Sequence, residues 1–527
     1  MKILIAASEA APLAKTGGLA DVCGALPKAL QKLGHEPVLI LPAYRCTRKF
    51  PTESTGLELS VWIHGREYKG LILKCDVPQI GVPVYLIEHN HFFDRDGLYN
   101  HYNEDYGDNC ERFVFFSRAV MEAIRLLKLE VDILHVNDWQ TALIPAILEL
   151  QYRQVPGYDR ISSLLTIHNM AFQGTFPAHA MAFTGLHWKY FNWLQMECFD
   201  QLNFLKTGIV FADGITTVSP NYAKEIMRSP GGHHLEGVLR SRNESLWGIV
   251  NGIDTDEWNP QTDIHLPFHY NAASAVHRKR SCKVALQHQM RLPERPDVPM
   301  IGMVGRLSHQ KGFDIAAELI HRKGHWEDIQ WVLLGSGDPE MESQFYHLAA
   351  KYPLRVSSSV GYSNELSHQI IAASDIFLMP SRFEPCGLTQ LYSERYGTIP
   401  VVHATGGLVD TVTDMTEETL ADGTATGIHF KYPDVEGASW AVERAVGTWR
   451  YNRSAWEQMM KTGMETDFSW QRSAEKYVEV YERIRRRAPK EIIMKADINA
   501  DEPEHESVEP QEFHEKPLKK VRRRRKG

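Results

Sequence analysis

The chain has 527 residues, 43% of them hydrophobic and 24% charged, with a formal net charge of −8. At roughly 100–200 residues per domain this length exceeds one ordinary core, and the composition supplies apolar material for two, which excludes wholesale disorder and fibrous architecture. A mildly acidic balance also excludes a protein that coats nucleic acid or an anionic membrane by bulk electrostatics. Seven cysteines, scattered and never spaced CxxC, point away from a disulfide framework or zinc site and toward a reducing, cytoplasmic setting. The opening MKILIAASEA lacks a long apolar leader core, and no stretch approaches 18 apolar residues. The expectation is neither a targeting leader nor a membrane span.

In chain order, short apolar runs alternate with longer amphipathic stretches: KILIAA from Lys2, EPVLIL from Glu36, DILHV from Asp132, SLLTI from Ser163 and GITTV from Gly214. A second series follows with PMIGMV from Pro299, IQWVLL from Ile329, DIFLMP from Asp375 and PVVHA from Pro400. Continuous apolar strands between helices predict an α/β fold with parallel sheets covered on both faces. Leu19, Val22, Leu26, Leu30 and Leu33 recur at helical spacing, and Gly34 supplies a stop. Periodicity weakens over 231–295, so the domain junction is placed near Ile249–Asp254, giving an N-terminal domain over 1–250 and a C-terminal one from 251. From Asp497 to Glu515 there are eight acidic residues, and from Lys516 to Lys526 eight basic ones. Such blocks bury too little surface to offset ordering entropy, so 489–527 is predicted to be a disordered charged tail. Its basic end suits a polyanion or an address, but a solvated tail of partly self-neutralising halves is the preferred reading.

In a doubly wound sheet, ligands bind beyond the carboxyl ends of the strands. After KILIAA comes Ala14-Lys15-Thr16-Gly17-Gly18-Leu19. Paired glycines let backbone N–H groups approach an anion at a helix's positive end, and Lys15 adds a full charge. Neither GxGxxG nor the P-loop pattern is present, which weakens dinucleotide and simple NTPase readings; a plain loop before a helix competes for this fragment. DILHV leads to Asn137-Asp138-Trp139, and SLLTI to His168-Asn169. These polar groups can meet in one cleft to bind sugar hydroxyls or stabilise developing charge, although each alone is as readily a cap or loop residue. His135, inside its strand, reads as structural.

PMIGMV leads to Gly305-Arg306-Leu307-Ser308-His309-Gln310-Lys311-Gly312. The Arg306 fork and the Lys311 point charge can together neutralise a diphosphate without a metal, with surface ion pairing as the alternative. DIFLMP leads to Ser381-Arg382-Phe383-Glu384-Pro385-Cys386-Gly387-Leu388-Thr389. Here Glu384 reads as a ligand to sugar or ribose hydroxyls, and Cys386, Gly387, Leu388 and Thr389 as a turn at a helix start suited to phosphate. PVVHA leads to Thr405-Gly406-Gly407-Leu408, a second Thr-Gly-Gly-Leu turn expected to face the same interdomain cleft.

With these residues assembled, APLAKTGGLADV, HVNDWQTAL, TIHNMAFQG, GIVNGID, GRLSHQKGFD, SRFEPCGLTQLY and ATGGLVDTV resemble the successive signatures of bacterial glycogen synthases and plant starch synthases, over nearly all of 1–488. The resemblance implies the GT-B arrangement: two Rossmann-like doubly wound domains facing an interdomain cleft, the second ending near 467, with a crossing helix at about 468–488 completing the first. It implies transfer of glucose from ADP-glucose, a co-substrate, to the non-reducing 4-hydroxyl of an α-1,4-glucan such as glycogen, with retention and without a cofactor or metal. Nucleic-acid and membrane partners are not expected.

By motif, Lys15 and Gly18 match the loop near the donor phosphates, with Asp21 in the same stretch. Asp138, His168, Asn169 and Asn251 match residues around the transferred glucose. Arg306 and Lys311 match the diphosphate cations, Tyr362 an aromatic residue stacking on the base, and Glu384 the donor-site acid, with Gly387, Leu388 and Thr389 as the phosphate turn behind it. Many retaining GT-B enzymes carry two glutamates separated by seven residues, but the second position here is Tyr392, as is usual in the glycogen and starch synthase group, and Glu394 is not expected to substitute. Double displacement would also need a carboxylate nucleophile beneath the anomeric carbon, and none is identified, so front-face transfer, with the leaving phosphate helping to accept the acceptor's proton, is favoured. Two other readings are a GT-B enzyme using a UDP- or GDP-sugar and a non-catalytic glucan-binding regulator.

Overall fold

The computed structural model describes residues 1–101, 104–323 and 328–485; the charged segment 489–527 lies outside them. In the first half, nine strands form one sheet: β1 (Lys2–Ala6), β2 (Glu36–Pro42), β3 (Thr52–Ile63), β4 (Arg66–Cys75), β5 (Val84–Glu88), β6 (Ile133–Asn137), β7 (Ser162–Ile167), β8 (Gly214–Thr217) and β9 (Leu246–Gly248). Their order is β9-β8-β7-β6-β1-β2-β5-β4-β3, parallel except where β4 pairs with β3 and β5. In β1, Leu4 and Ala6 pack into one core while Ile3 and Ile5 pack into another. Alternate side chains thus bury on opposite faces, which is why the run is apolar throughout.

The second half builds a six-stranded parallel sheet from β10 (Met300–Val304), β11 (Gln330–Gly335), β12 (Val356–Val360), β13 (Ile376–Met379), β14 (Ile399–His403) and β15 (Ile428–Phe430), in the order β12-β11-β10-β13-β14-β15. Its core begins at Ile253 and takes residues up to Met464. The chain crosses between halves at 249–254: Ile249 packs with the first half and Ile253 with the second. A return crossing lies alongside, with the Ile253 amide donating to the Phe468 carbonyl at 2.8 Å. The helix Trp470–Arg485 then buries Trp470, Tyr477, Tyr481 and Ile484 against the face carrying Ile3 and Ile5. The Tyr481 hydroxyl meets His135 Nδ1 at 2.8 Å, so His135 is a fixed core residue, with Thr166 Oγ1 at 2.6 Å on its other nitrogen.

All nine apolar runs named above fall on strands. Among the described residues, no helix is long and apolar enough to cross a membrane. In each sheet the strand order reverses at one place: β1 lies between β2 and β6, and β10 between β11 and β13. Loops leaving the carboxyl ends at such a reversal diverge and open a crevice, which fixes where ligands bind in both halves.

Candidate active site

A cleft of about 1670 Å³ opens between the two halves, lined by the loops after β1, β6, β7, β10 and β13. On the first-half wall, the loop after β1 ends at the helix Gly18–Lys32. Gly17 caps this helix without a side chain, and a Cβ at Gly17 or Gly18 would meet nothing within 4 Å. The helix's positive end is therefore bare toward the cleft. Glu9, buried beneath the loop, shapes it by accepting from the Thr16 amide at 2.5 Å and hydroxyl at 2.7 Å, from the Gly17 amide at 3.3 Å and from the Tyr99 hydroxyl at 2.7 Å. Lys15 Nζ lies 2.6 Å from Asp21 Oδ1. Burial opposes the charge on Lys15, yet Asp21 leaves its pKa raised.

Asp138 follows β6 in the left-handed conformation, φ +54, a strained geometry for a residue with a side chain. Its carboxylate accepts from the His168 amide at 2.7 Å and from the Asn169 amide. Burial nevertheless pushes its pKa up to about 7. The His168 ring is kept neutral by burial, its pKa down to about 3. Asn137 spends its Nδ2 on the Ala6 carbonyl at 3.2 Å, so its Oδ1, 3.0 Å from His168 Nε2, accepts the ring proton. That assigns the proton to Nε2 and the free lone pair to Nδ1. Asn169 Oδ1 is engaged by the Ala171 amide at 3.0 Å. Asn251 Oδ1 and Gln140 Oε1 line the cleft as buried acceptors without a protein partner among the described residues. Such groups are costly unless a donor reaches them, and sugar hydroxyls are donors of the right kind.

On the opposite wall, Arg306 stands exposed in the cleft with no ion-pair partner among the described residues. Five residues on, Lys311 Nζ lies 2.6 Å from Glu384 Oε2, and the Ser381 hydroxyl donates to the same oxygen at 3.2 Å. Glu384 is 5% exposed, so the pair is largely withdrawn from solvent. The two loops are clamped by Arg382, whose guanidinium binds Asp314 with bonds of 2.8 and 2.7 Å and whose amide donates to Gln310 at 2.8 Å. Gly387 takes φ +74. Gln390 pins that turn through the Cys386 and Gly387 carbonyls, each at 3.0 Å. Cys386 is a buried thiol whose pKa burial pushes up to about 12. Leu388 and Thr389 line the cleft, with the Thr389 hydroxyl turned 3.5 Å toward Met379 Sδ. Tyr362, in the loop after β12, is 84% exposed at the cleft wall.

The structure thus brings Lys15, Gly18, Asp21, Asp138, His168, Asn169, Asn251, Arg306, Lys311, Tyr362, Glu384, Cys386, Gly387, Leu388 and Thr389 to one cleft. Thr405, Gly406 and Gly407 are a correction. They lie outside the cleft lining, and the Gly406 amide is already taken by Glu225 Oε1 of the first half at 2.9 Å. A Cβ on Gly406 would stand 1.9 Å from the Glu384 carbonyl oxygen. This second Thr-Gly-Gly-Leu turn packs behind Glu384 and ties the halves together, and does not line the cleft as expected.

Glu394 is buried away from the cleft and accepts from Thr426 Oγ1 at 2.9 Å, while Tyr392 lines the cleft, stacked on Trp258 at 3.7 Å between centroids. The sequence reading missed Glu9, Arg382, Gln390 and Trp258. Glu9 carried a weak signal, an acid within an otherwise apolar and glycine-rich stretch; the others carried none without the fold.

Comparisons with known proteins agree with this layout. The family described as "Starch synthase catalytic domain" matches residues 2–241, and "Glycosyl transferases group 1" matches 287–458. A glycogen synthase of Anaeromyxobacter sp. (strain Fw109-5) is 46% identical over 91% of this chain and 99% of its own. One from Rhodopirellula baltica is 42% identical over 92% and 98%. The catalytic domain of starch synthase IV from Arabidopsis thaliana, solved bound to ADP and acarbose, superposes with a TM-score of 0.84 at 35% identity, covering 92% of this chain and 99% of that one. Sucrose-phosphate synthase from Thermosynechococcus elongatus, at 16% identity and a TM-score of 0.57, shares the fold.

Proposed function

Since the chain belongs to the glycogen and starch synthase family, we propose that its cleft transfers α-glucose from ADP-glucose to the non-reducing 4-hydroxyl of an α-1,4-glucan, elongating glycogen with retention. The observation that carries this reading is that, at the reversal point of the second sheet, Arg306, unpaired among the described residues, and the ion pair of Lys311 with the buried acid Glu384 line one cleft. They face a bare helix start on the opposite wall.

In the proposed step the bond between the anomeric carbon and the diphosphate oxygen breaks, the bond to the acceptor O4 forms on the same face, and the O4 proton passes to the leaving phosphate. Arg306 and Lys311 offset the charge that grows on ADP as it departs, a term that preorganised cations supply without solvent reorganisation. The cationic charge comes from side chains, so the reading invokes no metal or cofactor. Glu384, Asn251 and Gln140 offer acceptors to sugar hydroxyls, and neutral His168 has a lone pair at Nδ1 for a further one. Tyr392 occupies the place of a second glutamate and Glu394 is bonded elsewhere, the pattern usual in the glycogen and starch synthase group. The cytoplasm, where a scattered set of thiols stays reduced, is the setting this reading carries.

Purified protein incubated with glycogen and either ADP-glucose or UDP-glucose tests the donor. Faster incorporation from ADP-glucose is expected; a clear preference for UDP-glucose would refute the donor assignment.

A further inference from the structure

The rim of the first-half wall carries a strained, solvent-facing aromatic residue that the reaction as described does not use. Strands Glu197–Cys198 and Gln201–Asn203 pair antiparallel with Cys198 opposite Gln201, leaving Phe199 and Asp200 as a two-residue loop. Both have positive φ, +52 and +61, the geometry of a hairpin turn that ordinarily takes Asn-Gly. A bulky aromatic residue is disfavoured there, and strain held at a site's edge is a pointer to function. Phe199 is 74% exposed, so burial does not explain its presence.

The turn is joined to the cleft. The Phe199 ring lies 5.4 Å from the His234 ring, edge to face, and His234, itself at φ +73, lines the cleft together with Phe172. Gln173 ties the pieces: its Nε2 donates to the His233 carbonyl at 2.9 Å and its Oε1 accepts from Asn203 Nδ2 at 2.7 Å. Next to it, Gly174 packs on Trp139, where a Cβ would approach to 2.4 Å, which connects the rim to the segment holding Asp138.

Aromatic faces pack on the apolar C–H faces of sugars, and the acceptor in the proposed reaction is a chain longer than the cleft's reacting centre. We propose that Phe199, flanked by His234, is an acceptor subsite that stacks on a glucose unit of the incoming α-1,4-glucan beyond the unit being extended. This inference rests on the proposed function.

The variant Phe199→Gly suits the turn's φ and should fold at least as stably, so lost stability cannot mimic the effect. Its KM for maltoheptaose is expected to rise about tenfold, the scale of one stacked contact. The kcat, the KM for ADP-glucose and the KM for maltose should stay within about twofold. Phe199→Trp should restore the wild-type value, and Phe199→Asn, also tolerated at positive φ, should repeat the glycine result. An unchanged maltoheptaose KM in the glycine variant would overturn the subsite while leaving the proposed function intact. If the wild-type protein extends no glucan, the functional reading itself fails. Calorimetric titration with maltoheptaose then decides the subsite: weaker binding by Phe199→Gly supports it and equal binding overturns it.

Discussion

Lys311 and Glu384 sit together in a low-exposure pocket, 2.6 Å apart, so the carboxylate fixes where the lysine's Nζ stands in the cleft. Lys311→Ala is expected to lower kcat at least about 100-fold, because one preorganised charge on a developing anion is worth several kcal/mol. Steady-state kinetics check this, and near-normal turnover would mean the cations are misassigned. Two buried histidines and one buried aspartate make opposed pH contributions. His135 and His168 have pKa values lowered by burial from 6.5 to about 3. Between those values the unfolded chain binds protons that the folded chain refuses, so stability falls as pH drops from about 6.5 toward 3. Asp138 is raised from 3.8 to about 7, so its contribution is lost as pH rises from about 4 to 7. Denaturant titrations should therefore show a shallower acid loss for His135→Gln than for wild type. Asp138→Asn should gain stability relative to wild type at pH 8 compared with pH 5.

The two Thr-Gly-Gly-Leu turns show what an element's surroundings add to its letters. From Thr16 the glycines face open space, and from Thr405 they are jammed against backbone. Gly406→Ala is accordingly expected to lower both the melting temperature and kcat, by forcing the Glu384 backbone to move, whereas Gly18→Ala should leave the melting temperature within a few degrees. Parallel strands buried on both faces were legible because every residue must be apolar. The hairpin β3–β4 and the polar strand β12, VSSSV, were not, since their pairing depends on neighbours remote in sequence. The helix Ala275–Gln289 was hidden for a different reason. It buries Lys279 and Lys283, whose ammonium groups donate to the Ala372 and Val298 carbonyls at 2.5 and 2.7 Å, so its inward face reads as polar. In the cleft, residues at strand ends were legible from topology. The supports Glu9, Arg382 and Gln390 were not, because their partners lie across loops that only the fold brings together.

At the scale of the molecule, two sheets share a cleft, and the chain joins them through paired crossings at 249–254 and 466–470. The helix Trp470–Arg485 finishes the first core, so a chain ended at 488 is expected to keep its melting temperature and its transfer rate, as thermal unfolding and activity assays would show. The net charge is −8, yet the proposed donor is an anion. Carboxylates also line the cleft, so the anion is met by individual groups, Arg306, Lys311, Lys15 and a bare helix start, whose contacts outweigh net charge at short range. The central claim is that this cleft moves glucose from ADP-glucose onto glycogen by stabilising the departing ADP. The most direct measurement is the initial rate of glucose incorporation into glycogen from ADP-glucose for the wild-type protein and Lys311→Ala side by side. Robust incorporation by the wild type and a loss of at least about 100-fold in the variant are expected; no incorporation by the wild type, or equal rates for the two, would contradict it.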